Sequence, residues 1–145
     1  MYTRYFARFV GIVLILLGLL GFVPGVTQPA SVEAPDLTVH LGYGLLFGVF
    51  PANILLDLVR LLAGIDGVFA ARGFLRARAY SRRLAALLGV LAVCGFIPGL
   101  TTFFGLMPLY DWNIVLHAAL GLVAAYYGFV RGGQSIADLS HPAVM

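Results

Sequence analysis

Three residues in this chain have types and spacing that could do chemistry: Asp57, Arg60 and His117, each set in an otherwise apolar run. A carboxylate beside an imidazole can pass a proton, because histidine titrates near neutral pH and a buried carboxylate next to it can exchange with it. The same pair can begin a metal site, with His117 and His40 as the weak candidate ligands. One His and one Asp fall short of the three or four protein ligands such a site takes, and Arg60 would compete for the carboxylate. The third use is structural. Asp57 and Arg60 stand i, i+3 and can pair, which lowers the roughly 2.5–3.5 kcal/mol charged for a lone ion at mid-membrane. His117 can then donate to Asp57, tying one helix to another. This polar clasp is the leading reading, ahead of proton relay and metal binding; no metal and no cofactor are assigned.

The positions of these residues follow helical spacing. Asn53, Asp57, Arg60, Gly64 and Gly67 run i, i+4, i+7, i+11, i+14 and share one face. Asn113, His117, Gly121, Ala124 and Gly128 form a second stripe of the same kind. Lipid cannot satisfy polar groups, so both stripes are expected to face other helices, with Gly64, Gly67, Gly121 and Gly128 allowing close packing. Asp57 and His117 each stand four residues past an asparagine, about 6 Å along the helix at 1.5 Å per residue. Asp66 falls on the opposite side of its helix and is expected to meet another helix, a cytoplasmic arginine or another protein. His141 lies in a polar tail and is expected to be solvated. Cys94 is the only cysteine, which excludes an intrachain disulfide and leaves it as a small apolar filler.

The elements that carry these residues are apolar. The chain has 145 residues, 61% hydrophobic and 10% charged, against roughly 25% charged in soluble domains. It lacks the polar side chains to cover a water-facing surface, so lipid is the expected environment. Four stretches predict helices over residues 5–23, 53–71, 81–97 and 113–130, within one transmembrane domain, 1–145, that ends in a cytoplasmic tail over 131–145. Residues 5–23 read as a retained helix rather than a signal peptide, because the apolar part is long and 21–25 carry no small-x-small cleavage site. All nine basic residues are arginines. Apart from Arg60 they gather at the start of the first helix (Arg4 and Arg8), from the end of the second helix to the first turn of the third (Arg72 to Arg83), and after the fourth (Arg131). The connections 24–52 and 98–112 hold only Glu33, Asp36 and Asp111. This pattern puts both termini in the cytoplasm and excludes nucleic acid as a partner. The expected location is a cell (inner) or thylakoid membrane.

The chain also repeats. Gly21-Phe22-Val23-Pro24-Gly25 returns as Gly95-Phe96-Ile97-Pro98-Gly99, Phe47-Gly48 as Phe104-Gly105, and Asn53-Ile54-Leu55-Leu56 as Asn113-Ile114-Val115-Leu116. The fold class expected is all-α: a membrane four-helix bundle of two parallel two-helix repeats related by a pseudo-two-fold axis along the membrane normal. Asp57 and His117 would be near neighbours across that axis. Asn53 and Asn113 would cap the second and fourth helices. Residues 37–52, apolar but broken by glycines, are expected to form a short interfacial or re-entrant segment before the second helix.

The string from Tyr43 to Asn53, the string Gly95-Phe96-Ile97-Pro98-Gly99 continuing to Pro108, and Leu116-His117 resemble a bacterial family of small four-helix membrane proteins of uncharacterised function, well represented in cyanobacteria. The resemblance runs from Tyr5 to Phe129 and implies the fold and topology, with no activity attached. It also implies a histidine–asparagine pair and a further histidine at the start of the second helix. This chain has Leu56, Asp57 and Arg60 there, whereas His117 matches. A metal or haem site resting on those histidines would lack most of its ligands here.

No phosphate-binding loop, nucleophile elbow, paired cysteines or zinc-protease helix is present. The function expected is therefore non-enzymatic: an accessory or structural subunit of a larger membrane complex, with the lipid bilayer and other subunits, or a second copy, as partners. The alternative is a small transporter or channel with a proton-responsive Asp/Arg/His cluster. A metal- or haem-binding membrane protein is the weaker one.

Overall fold

The computed structural model describes residues 1–131; the tail expected over 131–145, His141 included, lies outside them except for Arg131. Four α-helices account for most of the described chain: α1 (Tyr2–Leu20), α2 (Ile54–Ala70), α3 (Phe74–Phe96) and α4 (Trp112–Ala125), the last continuing as a π-helical turn, Tyr126–Arg131. Three helical segments, Tyr2–Leu20, Phe74–Phe96 and Trp112–Arg131, are long and apolar enough to cross a membrane.

α2, at 17 residues, spans about 25 Å. It runs antiparallel along the whole of α1. Arg4 Nε donates to the carbonyl of Ala71 at one end (2.9 Å), and Gly18 and Gly21 meet Asp57 at the other. Between them the backbones touch. A Cβ on Gly64 would lie 2.6 Å from the Gly11 carbonyl oxygen, and one on Gly11 would lie 2.7 Å from that of Gly64. Such closeness suits a membrane, where helices associate through packing of small residues. α3 packs chiefly on α4, as α1 does on α2. Leu14, Leu56, Leu84, Leu88 and Leu91 fill the space between the two pairs.

α3 begins at Phe74 rather than near residue 81. Charge does not break a helix; Arg76, Arg78, Arg82 and Arg83 are good helix formers whose long stems let the heads leave the apolar layer. α1 stops at Leu20, before the expected 23, where Phe22 and Val23 turn into tighter bonds with the Leu19 and Leu20 carbonyls (both 3.1 Å). α3 stops at Phe96 because Ile97 precedes Pro98 and takes an extended conformation.

The fold is not all-α. The connection from α1 to α2 forms an antiparallel three-stranded sheet, β1 (Thr27–Pro29), β2 (Gly44–Leu46) and β3 (Phe50–Ala52), in that order. Leu45 pairs with both Gln28 and Pro51. Residues expected to make an interfacial or re-entrant segment are instead sheet strands and turns, which satisfy their backbone groups by pairing with other outer residues. A tight turn joins β2 to β3 with positive φ at Phe47 (55°) and Gly48 (71°), and the same sign occurs at Phe104 (59°) and Gly105 (81°) in the second connection. Left-handed backbone costs a non-glycine residue about 1–2 kcal/mol. The two connections hold each other: Thr38 and Val39 N–H donate to the Gly105 carbonyl (2.8 and 3.2 Å). Tyr43 donates to the Pro35 carbonyl, leaving Tyr110 to donate to the Tyr43 hydroxyl, both at 2.7 Å. Burial, then that hydrogen bond, pushes the Tyr110 hydroxyl above its ordinary range.

The glycine contact can be tested against a helical glycine with open space. Gly64→Ala should lower the thermal midpoint in detergent, at a cost of about 1–3 kcal/mol for overpacking against backbone. Gly89, where a Cβ would meet nothing within 4 Å, should be neutral or gain up to about 1 kcal/mol on change to Ala. Equal midpoints for the two variants would contradict the backbone contact.

Candidate functional site

The N-terminal ends of α2 and α4 hold the polar residues, at the end of the bundle that carries the two long connections and is the outer end in the expected topology. Asn53 precedes the first turn of α2, and its side-chain oxygen accepts from the Leu56 N–H (3.0 Å), an N-cap. Its amide nitrogen reaches out of the helix to the carbonyls of Leu106 (2.7 Å) and Val39 (3.2 Å). Asn113 behaves differently. α4 begins one residue earlier, at Trp112 after Asp111, so Asn113 lies inside the first turn and does not cap it, contrary to the sequence expectation. Its amide nitrogen instead donates to the carbonyls of Pro51 (2.5 Å) and Pro108 (2.7 Å). Each asparagine thus holds a carbonyl of the other half's outer connection.

Arg60 joins Asp57 to the second of these asparagines, Asn113. It stands one turn below Asp57 on the same face, and Nη1 donates to Asp57 Oδ1 at 3.0 Å. Nη2 donates to Asn113 Oδ1, also at 3.0 Å. Asp57 is 1% exposed and Arg60 4%. The carboxylate sits against Gly21, where any side chain would overlap it. A continuous chain of hydrogen bonds therefore runs from Asp57 through Arg60 and Asn113 to Pro51 and Pro108, across the gap between the two helix pairs.

His117 is not a member of that chain. The expected hydrogen bond to Asp57 is absent: the Asp57 carboxylate pairs with Arg60, and the group of α4 that Arg60 reaches is Asn113, one turn nearer the outer end. His117 is buried at 3% exposure, and its Nδ1 has no hydrogen-bond partner among the described residues. It lines a cavity of about 20 Å3 together with Arg60 and leucines of all four helices. That volume admits one water. His40 stays on the outer surface, 3.6 Å from Asp36. Among the described residues no group of three or more His, Cys, Asp or Glu could hold a metal ion.

The glycines expected at helix contacts divide. Gly64 and Gly67 meet α1 backbone, and Gly67 also meets the Tyr80 ring. At Gly128 a Cβ would lie 2.9 Å from Arg82, and the Gly128 carbonyl accepts from Arg78 Nε (3.3 Å) and Arg82 Nε (3.0 Å). Gly121 makes only an ordinary contact, 3.4 Å to Leu88. Asp66 meets another helix, one of the partners expected for it: Arg83 Nη2 of α3 donates to it at 2.7 Å. Sequence reasoning missed Gly11, Gly18 and Gly21. Their signal was present, since Ala7, Gly11 and Gly18 follow the small-residue spacing of a helix contact.

Breaking the clasp from one side should be costly. Arg60→Met strands Asp57 in an apolar site and removes the Asn113 partner, a loss of about 3–5 kcal/mol. The paired change Asp57→Leu with Arg60→Met should recover part of it, because no lone charge remains. Thermal unfolding in detergent reads both; a double variant no more stable than Arg60→Met would refute the pair as the source.

Residues 4–130 match the family described as a domain of unknown function, DUF4383. No curated protein and no solved structure matches the chain. The resemblance read from the sequence, to a family with no activity attached, agrees with this match as far as it goes. The chain belongs to the DUF4383 family, and it does so as a helical protein with three helices able to cross a membrane.

Proposed function

We propose that this chain is a non-enzymatic, multi-pass membrane subunit, an accessory or structural component of a larger membrane complex. The observation that carries this reading is the pairing of Arg60 with both Asp57 and Asn113. The arginine charge is committed to joining helix pairs, and the carboxylate that would serve as acid or base is held by it. An acid and a base already paired with each other and with the helix opposite leave neither group free for catalysis, which suits a structural role.

In this reading all four helices cross, α2 at the same depth as α1, with both termini on the cytoplasmic side of a bacterial cell or thylakoid membrane. Placement of every arginine but Arg60 at one end supports it. The two halves form parallel repeats. Left-handed backbone at Gly25 (85°) and Gly99 (90°), as at the paired Phe-Gly steps, supports that symmetry, as does the reciprocal reach of Asn53 and Asn113.

A second reading, a small transporter or channel with a proton-responsive cluster, is favoured by one observation: the unpartnered, buried His117 Nδ1 in a cavity shared with Arg60. Two measurements separate the readings. Native gels of gently solubilised membranes should show the protein comigrating with something much larger; migration only as a monomer or small homo-oligomer counts against the subunit. Proteoliposomes should show no proton flux above protein-free vesicles, and flux abolished by His117→Phe would install the transporter instead.

A further inference from the structure

The two helix pairs part along one side. α2 leans on α1 and α3 on α4, and although only residues 71–73 link α2 to α3, these two touch little. The cleft between them has two connected chambers. One, of about 360 Å3, is lined by Val59, Leu62, Ala63, Leu84 and Leu87. The other, of about 440 Å3, is lined by Phe69, Leu75, Arg76 and Ala79. Asp66 and Arg83 line both, so the chambers meet at this ion pair. The cleft is open to the side: Leu62 is 65% exposed and Leu75 67%.

We propose that this cleft seats one phospholipid with an anionic headgroup, from the leaflet at the arginine-rich end. The first argument is length. From Leu87 to Arg76 along α3 is about 16 Å at 1.5 Å per residue, close to the half-thickness of a roughly 30 Å hydrocarbon core. An acyl chain laid in the apolar chamber therefore brings its headgroup to the charged one. The second is charge. Asp66, Arg76 and Arg83 leave one net positive charge where the headgroup falls. The Asp66–Arg83 side chains are 49% and 62% exposed, and a pair so exposed is weak enough for Arg83 to turn a donor to a phosphate oxygen. The guanidinium fork suits that oxygen geometry. A second copy fits less well, because a two-fold contact through this face would set the Arg76 and Arg83 of each copy beside those of the other.

The test uses the full chain in mild detergent with phosphatidylglycerol or phosphatidylcholine added, read by native mass spectrometry. One phosphatidylglycerol should be retained with an apparent Kd about ten-fold below that of phosphatidylcholine. Arg76→Gln with Arg83→Gln should erase that preference, while Arg4→Gln with Arg8→Gln, which removes the same charge elsewhere, should keep it. A photoactivatable acyl chain on phosphatidylglycerol tests the wild type without substitution, and should label residues 59–63 and 84–87 above the outer faces of α1 and α4. Equal retention of the two lipids, labelling in proportion to exposure, or crosslinks joining this face of two copies would each overturn the proposal.

Discussion

The guanidinium of Arg60 is the group on which the arrangement of the two helix pairs depends. A buried ion has no water to fall back on, so its donors must find acceptors within the protein. Asp57 supplies one acceptor from the same helix and Asn113 the other from across the bundle. The first contact neutralises the charge locally; only the second carries information about the fold. Had Arg60 been satisfied within α2 alone, the helix pairs could slide past each other on leucines, which are interchangeable in packing and in lipid. The contact with Asn113 fixes their height, and Asn113 in turn fixes the outer connections through Pro51 and Pro108.

The glycines of α1 make the other half of that requirement possible. Asp57 can be buried against the end of α1 because Gly21 leaves room for the carboxylate. Gly11 and Gly64 bring the two backbones into contact, so that the polar face of α2 is turned inward along its full length. The outer cap completes the enclosure. Its short strands, its Phe-Gly turns and the Tyr43–Tyr110 bond hold the loop carbonyls still enough for asparagine side chains to read them. Left-handed phenylalanines are tolerated there because the turns they make are pinned on both sides.

Much of this was legible in the residues, and the limits have physical causes. Hydropathy and arginine placement exposed the helices, and helical spacing exposed the Asp57–Arg60 face. The start of α3 was hidden because arginines lower hydropathy without ending a helix. The sheet was hidden because strands of three residues among glycines and prolines carry no alternation to detect. Asn113 looked like a cap because it matches Asn53 in sequence, yet Asp111 takes a left-handed conformation (φ 53°) and starts the helix sooner. That two-residue shift of the cap, from Asn113 to Asp111, moves the asparagine into the helix and frees its oxygen for Arg60. It also leaves His117 without the role its spacing suggested. Equivalence in sequence therefore did not carry over to equivalent bonding.

The same division of labour explains why the bundle is open on one side. Close helix contact is concentrated within each pair, by glycine in the first and by leucine, Gly95 and Gly128 in the second. Between the pairs the firm polar links lie at the outer end, in Arg60 and the two asparagines. At the opposite end the pairs are joined by Tyr80 against Gly67, the Phe6–Tyr127 stack at 4.5 Å and the exposed Asp66–Arg83 bridge. A rigid outer end and a looser arginine-rich end follow from where the buried hydrogen bonds are. A cleft between α2 and α3 is then a consequence of the clasp: α2 cannot turn its charged face inward toward Asn113 and also press its flank against α3.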